Sequence, residues 1–252
     1  MPDKQNITVF PSQAALSDHA ADLFARAARE AVATRGRFTV ALTGGSSPHK
    51  TYELLAQAPR SAQIDWANVF VFLGDERFVP FDDDRSNYGM CRRLLLDHVP
   101  LKDEQVFPIP TNAATPEEAA DEYARTLTRA LGQTAGGPPP ALDLVLLGMG
   151  DDGHCASLFP GMPTLRVQDR WVVSSPPGTL PPPVDRVTCT FPVLNAARQV
   201  VFLVNGEKKA TAVRDIFEGW AGVEQHPAAG VRPSAGTLTW LLDETAAGLL
   251  TK

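Results

Sequence analysis

The sequence lacks any apolar run approaching the roughly 18 residues a membrane-spanning helix needs. Its opening residues, MPDKQNITVFPSQ, hold no apolar stretch of signal-peptide length. Cysteine is scarce: Cys91, Cys155 and Cys189 lie far apart and form no C-x-x-C pair. An odd, scattered set argues against a disulfide scaffold or a thiolate zinc site, and it suits a reducing, cytoplasmic compartment. Positive charge is not in excess either, since 23 Lys and Arg face 29 Asp and Glu for a net charge of -6. A nucleic-acid binder would carry a basic stripe, so neither nucleic acid nor membrane is expected as a partner. Internal repeats and low-complexity tails are absent as well. What remains is 252 residues at 44% hydrophobic content, enough to bury a substantial core. One α/β domain spanning 1–252 is the expected organisation.

Helical and strand patterns alternate along this chain. Ser12 can cap a helix whose apolar positions Leu16, Ala20, Leu23, Phe24, Ala27 and Ala31 keep helical spacing. RFTVALTGG reads as a strand ending in a glycine turn, with Ser47 as N-cap and Pro48 as first residue of the following helix. NVFVFLGDE is a second strand, and SNYGMCRRLLLDHV a helix capped by Ser86. Thr115, Pro116 and Glu118 resemble a capping box. LDLVLL and QVVFLV are further apolar strands, and RVTCTF alternates like a half-exposed one. EKKATAVRDIFEG forms a helix ended by Gly219, and TLTWLLDETAAG is expected to close the chain as a helix. GQTAGGPPPA, 132–141, and PPGTLPPPV, 176–184, read as loops. This order predicts a mostly parallel sheet covered by helices. Ligands of such sheets bind beyond the carboxyl ends of the strands. The segments TGGSS, GDER, GMGDDGH and NGEKK should therefore converge on one crevice.

Each segment carries chemistry that a plain turn does not need. In TGGSSP, Gly44, Gly45 and Ser46 let a phosphate approach backbone N–H groups, although a tight turn with a serine cap would look the same. The P-loop spacing is absent. Arg77, after Asp75 and Glu76, can fork onto phosphate oxygens, and Asn87 can read hydroxyls or simply start a helix. In LGMGDDGHCASLFPG, His154 is the candidate acid–base, because imidazole titrates near neutrality. Asp152 stands where it can orient the ring. Gly148, Gly150 and Gly153 can turn N–H groups toward developing negative charge. Asp151, Asp152 and His154 have no second histidine cluster to complete a metal site, so no metal is expected. Cys155 is disfavoured as a nucleophile, since His154 beside it would point elsewhere in an extended stretch. Lys208 and Lys209 sit near a helix start, where a cation opposes the macrodipole unless an anion intervenes. Arg186 is a weaker anion contact. His19, His49, His98 and His226 show no partner pattern. With a net negative protein, attraction for an anionic ligand must be local.

Taken in order, ALTGGSSP, FLGDERFVP with RSNYGM, LDLVLLGMGDDGHCASLFPG, RVTCTFPVLNAA and VNGEKKA resemble the 6-phosphogluconolactonase family over residues near 40 to 215. The resemblance implies a Rossmann-like three-layer α/β sandwich with a mostly parallel central sheet, shared with sugar-phosphate isomerases and deaminases. It implies hydrolysis of 6-phospho-D-glucono-1,5-lactone to 6-phospho-D-gluconate in the pentose phosphate pathway, without a cofactor. The implied partner is the phosphorylated sugar lactone alone, and the chain is expected as a monomer or weak homodimer. By position, His154 is similar to the family's general base and Asp152 to its companion. Arg77 and Lys209 are similar to its phosphate or substrate ligands, with Lys209 chosen over Lys208 by spacing only. Asp75 and the glycines of TGGSS match pocket-lining positions.

The competing resemblance is to glucosamine-6-phosphate deaminase/isomerase, which shares GDE and the D-G-H-x-A segment. That family carries a glutamate five places after the histidine and just before a proline; Phe159 stands there, before Pro160. A phenylalanine cannot shuttle protons for ring opening, so the hydrolase is preferred. A non-catalytic sugar-phosphate-binding regulator on the same fold would call for an attached basic DNA-binding segment, and none is present in the sequence.

Overall fold

The structure is a computed structural model that describes residues 7–134, 137–178 and 183–251. Part of the opening segment and parts of both proline-containing loops lie outside the described residues. The elements, in chain order, are β1 (Ile7–Phe10), α1 (Gln13–Arg35), β2 (Phe38–Leu42), α2 (His49–Leu55), β3 (Val69–Leu73), β4 (Asp75–Arg77), α3 (Asn87–Leu94), β5 (Val106–Phe107), α4 (Pro116–Ala130), β6 (Leu144–Leu147), β7 (Val172–Ser175), β8 (Arg186–Cys189), α5 (Phe191–Ala196), β9 (Gln199–Val204), α6 (Ala210–Phe217) and β10 (Thr237–Asp243). Seven strands form the central sheet in the order β1-β10-β9-β6-β2-β3-β5, and every pairing in it is parallel. Helices flank it in a three-layer α/β sandwich. Among the described residues, no helix is long and apolar enough to cross a membrane.

The helix starts follow side-chain capping. Ser12, Ser86 and Thr115 each accept the backbone N–H three residues on. Ser47 departs from expectation: α2 begins at His49, Pro48 occupies the N-cap position, and no side chain caps it. RVTCTF also departs, because all four residues of β8 are buried. The reason is position, since β8 is the middle strand of a separate antiparallel sheet, β4-β8-β7. NVFVFLGDE is accordingly not one strand. β3 ends at Leu73, and Asp75 begins β4 in the second sheet.

The closing segment is the largest correction. TLTWLLD is β10, a parallel strand between β1 and β9, not a helix. A short apolar run buried on both faces has no period that separates strand from helix. Trp240 on this strand is fully buried, stacked on Phe202 at 3.9 Å and met edge-on by Phe217 at 5.1 Å. Three short strands, β1, β5 and β7, carried no sequence signal strong enough to be singled out.

Side chains from the layers fasten the strand ends. The Tyr52 hydroxyl accepts from Thr43 N and donates to Thr43 O, both at 3.0 Å. Tyr123 does the same for Leu73, at 2.8 and 2.9 Å. The Asp243 carboxylate, at the end of β10, accepts the Gly206 N–H at 3.1 Å and so anchors the loop after β9. Trp240→Ala should destabilise the protein by about 3–5 kcal/mol, read as a lowered urea midpoint; a loss of only a few tenths would place this side chain outside the packed core.

Candidate active site

The loops after β2, β3, β6 and β9 meet over the four middle strands of the sheet. There the winding reverses: β2 leads to β3 on one side, and β6 leads to β9 on the other. The hollow they enclose measures about 340 Å³. Gly44, Gly45, Ser46, Asp75, Arg77, Asn87, Gly150, His154, Arg186 and Lys209 all line it. Asp152, also singled out from the sequence, stands behind His154 rather than on the wall.

His154 Nδ1 lies 2.6 Å from Asp152 Oδ1, and the same oxygen accepts the His154 backbone N–H at 3.0 Å. An ionised carboxylate only accepts, so it selects the Nδ1–H tautomer and leaves Nε2 as the basic nitrogen. Burial pushes the Asp152 carboxyl up, but hydrogen bonds and attraction from His154 outweigh it and hold the group below its ordinary value. A Cβ at Gly150 would collide with the His154 ring and the Asp152 carboxylate, so the pair rests directly on that glycine's backbone. The expected role of the glycine N–H groups is not what the loop does. Gly148, Gly150 and Gly153 donate to Thr43 Oγ1, His154 O and Gly150 O, at 3.4, 2.9 and 3.0 Å. Those N–H groups hold the loop together instead of facing a ligand.

The cations gather from two directions. In the β4–β8 register Arg77 is directly opposite Arg186. Like charges in that relation destabilise a sheet unless an anion lies between them. Arg186 is buried, and burial holds its guanidinium below the ordinary arginine value, partly offset by Asp75 and reinforced by Arg77. Arg77 Nη1 donates to Asn87 Oδ1 and to Arg85 O, while its buried Nε has no hydrogen-bond partner among the described residues. Asn87 Nδ2 donates in turn to Asp75 O at 3.0 Å, and Asp75 Oδ2 accepts the Ser157 hydroxyl at 2.6 Å. Arg77 is thereby tied through Asn87 and Asp75 to the loop that carries His154. A Cβ at Gly44 would strike the Asn87 amide, so that glycine makes room for the tie. From the other side, Lys209 Nζ pairs with Asp151 Oδ1 at 2.5 Å. Lys208 is exposed and does not line the hollow, which settles which of the two lysines faces it.

Several residues here carried no usable sequence signal for their role. Asp151 was considered only as a metal ligand, and among the described residues no group of three or more His, Cys, Asp or Glu is placed to hold a metal ion. Asn205 and Ala156 line the hollow, and Ala156 adopts a positive φ of 48°. Phe159 is buried with its ring 4.7 Å from that of His154 and 5.4 Å from the Arg186 guanidinium carbon. Cys155 is buried, and burial raises its thiol beyond the reach of a nucleophilic role.

Glu76 is also hidden from the ligand, yet it organises the wall. Its carboxylate accepts the N–H groups of Arg77, Asn87 and Tyr88, each at 2.7 Å. Burial nevertheless pushes it up to about 7. The folded state therefore binds this proton more tightly than the unfolded chain. The associated stability is complete below about pH 4.5 and lost as pH rises through about 7. The urea midpoint should decline over that interval relative to Glu76→Gln; parallel curves for the two proteins would show that the carboxyl does not titrate there.

Comparison with known proteins places this arrangement. A family model described as glucosamine-6-phosphate isomerases/6-phosphogluconolactonase matches residues 11–240. The 6-phosphogluconolactonase of Rattus norvegicus is 43% identical over 248 residues, covering 97% of this chain and 93% of that protein. The Synechocystis protein of the same name is 43% identical over 217 residues, 86% of each. The solved 6-phosphogluconolactonase of Trypanosoma brucei superposes with a TM-score of 0.84 at 32% identity, over 98% of both chains. A monomeric glucosamine-6-phosphate deaminase shares the fold, with a TM-score of 0.78 at 24% identity.

Proposed function

The chain belongs to the glucosamine-6-phosphate isomerase/6-phosphogluconolactonase family, and from that membership we propose that it hydrolyses 6-phospho-D-glucono-1,5-lactone to 6-phospho-D-gluconate with His154 as general base. The relatives named for this reaction support the chemistry. The observation that carries the residue assignment is the His154–Asp152 pair opening into the same hollow as Arg77, Arg186 and Lys209. The phenylalanine beside His154 weighs against the deaminase alternative.

Neutral His154 takes a proton through Nε2 from a water attacking C1. The carbonyl electrons move to oxygen, giving a tetrahedral oxyanion. Collapse reforms the carbonyl and expels the ring oxygen, which receives the proton back from the imidazolium. Asp152 holds the ring in position and stabilises its cationic form. Every atom comes from lactone and water, so the scheme calls for no cofactor. Arg77, Arg186 and Lys209 supply the local positive field that a protein of net charge -6 needs to hold a phosphate. Phosphate binding remote from C1 accelerates the reaction only by orienting the carbonyl toward its transition state.

A lactonase assay corrected for spontaneous hydrolysis, run in parallel with glucosamine 6-phosphate, tests the assignment; deamination of the amino sugar without lactone turnover would reverse it. His154→Ala should lower kcat by roughly 10²–10⁴, and undiminished turnover would remove the histidine from the mechanism. Arg77→Ala and Lys209→Ala should each impair the phosphorylated lactone far more than the unphosphorylated one. Equal losses on both substrates would mean that neither cation meets the phosphate.

A further inference from the structure

A second histidine, on a segment remote in sequence, holds the turn that presents the first. His226 lies mostly buried just before a short 3₁₀ turn, Pro227–Gly230. Its Nδ1 stands 2.9 Å from the backbone carbonyl of Asp152, and its Nε2 stands 3.3 Å from Asp215 Oδ2 on α6. A carbonyl only accepts, so the contact to Asp152 requires the proton on Nδ1. The His226 side chain lies against Gly153, where a Cβ would collide with it, and Gly153 holds a φ of 79°. Ala228 N donates to Gly153 O at 2.9 Å. Both carbonyls in the middle of the 152–154 turn are therefore gripped by residues 226–228.

That grip matters because the other contacts of the Asp152 carboxylate come from within its own turn, from its own backbone and from the ring and backbone N–H of His154. One carboxylate oxygen is engaged by His154, and the other is buried with no hydrogen-bond partner among the described residues. The direction of the carboxylate then follows from its backbone. On its other side His226 meets Asp215, which is fastened to Arg214 at 2.7 Å on the helix that follows the Lys209 loop. We propose that His226 is a positioning residue, whose Nδ1–H donation to the Asp152 carbonyl sets the Asp152–His154 pair in register with the Lys209 side of the site. The inference rests on the general-base reading of His154 only for its kinetic consequence; the geometric consequence stands without it.

Two substitutions separate the ring's two ends. The amide nitrogen of Asn reaches the Nδ1 position, whereas that of Gln reaches the Nε2 position. His226→Asn should keep kcat within about threefold of the parent, while His226→Gln should lower it by roughly 10-fold to 100-fold with KM changed less than about threefold, the cost of misaligning a catalytic group. The proton shared by His154 Nδ1 and Asp152 should give a low-field NMR resonance in the parent and in His226→Asn, and lose it in His226→Gln. Equal kcat values in the two variants, or losses that merely track their melting temperatures, overturn the proposal. A resonance retained in both variants overturns it as well, whatever the kinetics. If His154→Ala keeps full turnover, the general-base reading fails, while the resonance comparison still decides the role of His226.

Discussion

Parallel pairing throughout the central sheet is the constraint from which the site follows. Each strand must be left by a crossover, so every carboxyl end falls on one edge, and the loops there have no choice of side. Between β2 and β6 the chain winds away in both directions, and the loops on either flank diverge. The gap is polar because strand ends expose backbone groups, and the protein satisfies several of these from outside the loops. Tyr52 and Tyr123 each close both polar groups of one strand-end residue, and Asp243 holds Gly206. Such buried hydroxyls are costly unless bonded and strongly directional when they are. They turn the ends of β2, β3 and β9 into fixed mounts rather than mobile linkers.

On those mounts the charge is arranged at a loss that an anion would recover. At Gly74 the chain leaves the large sheet and pairs Asp75–Arg77 with β8, which brings Arg77 opposite Arg186. The repulsion between them, the burial of Arg186 and the Nε of Arg77, unpartnered among the described residues, leave this pair short of negative charge. Asn87 and Asp75 keep it from relaxing, since each is itself buried and bonded. On the proposed reading, a dianionic phosphate would relieve these terms together, through the paired donors that a guanidinium offers. Lys209 differs. It already has Asp151 as a partner, so an anion arriving there competes with a carboxylate. The arginine side is preorganised for an anion, and the lysine side is adjustable.

The sequence made the strands with flanking glycines legible, because an apolar run and its polar end are local signals. The four loops named from it do converge. What stayed hidden was non-local. β4 and β8 are three and four residues long, and their pairing spans more than a hundred positions, so no window contains it. β10 was hidden because its last four residues, Trp240 to Asp243, are buried on both faces, which erases the period on which a strand is recognised. The glycines of the histidine loop were found for a reason the structure replaces: the missing Cβ at Gly150 matters, not its N–H. His226 was silent because its partner near the site is a backbone carbonyl 74 residues away, which has no side-chain signature.

Phe159 shows how a single apolar side chain can divide two chemistries on this scaffold. Its ring sits within contact of both the His154 imidazole and the Arg186 guanidinium. A carboxylate at that position would offset the charge of Arg186 and weaken the cation pair it forms with Arg77. The aromatic face accepts the guanidinium through its quadrupole without cancelling the charge. It also adds no second proton carrier beside the His154 imidazole. Amine loss with ring opening asks for a further acid–base group near the sugar, and the volume where one would stand is filled by carbon. On the proposed reading, lactone hydrolysis and amine loss thus part at one ring, which leaves the site its positive charge and one imidazole.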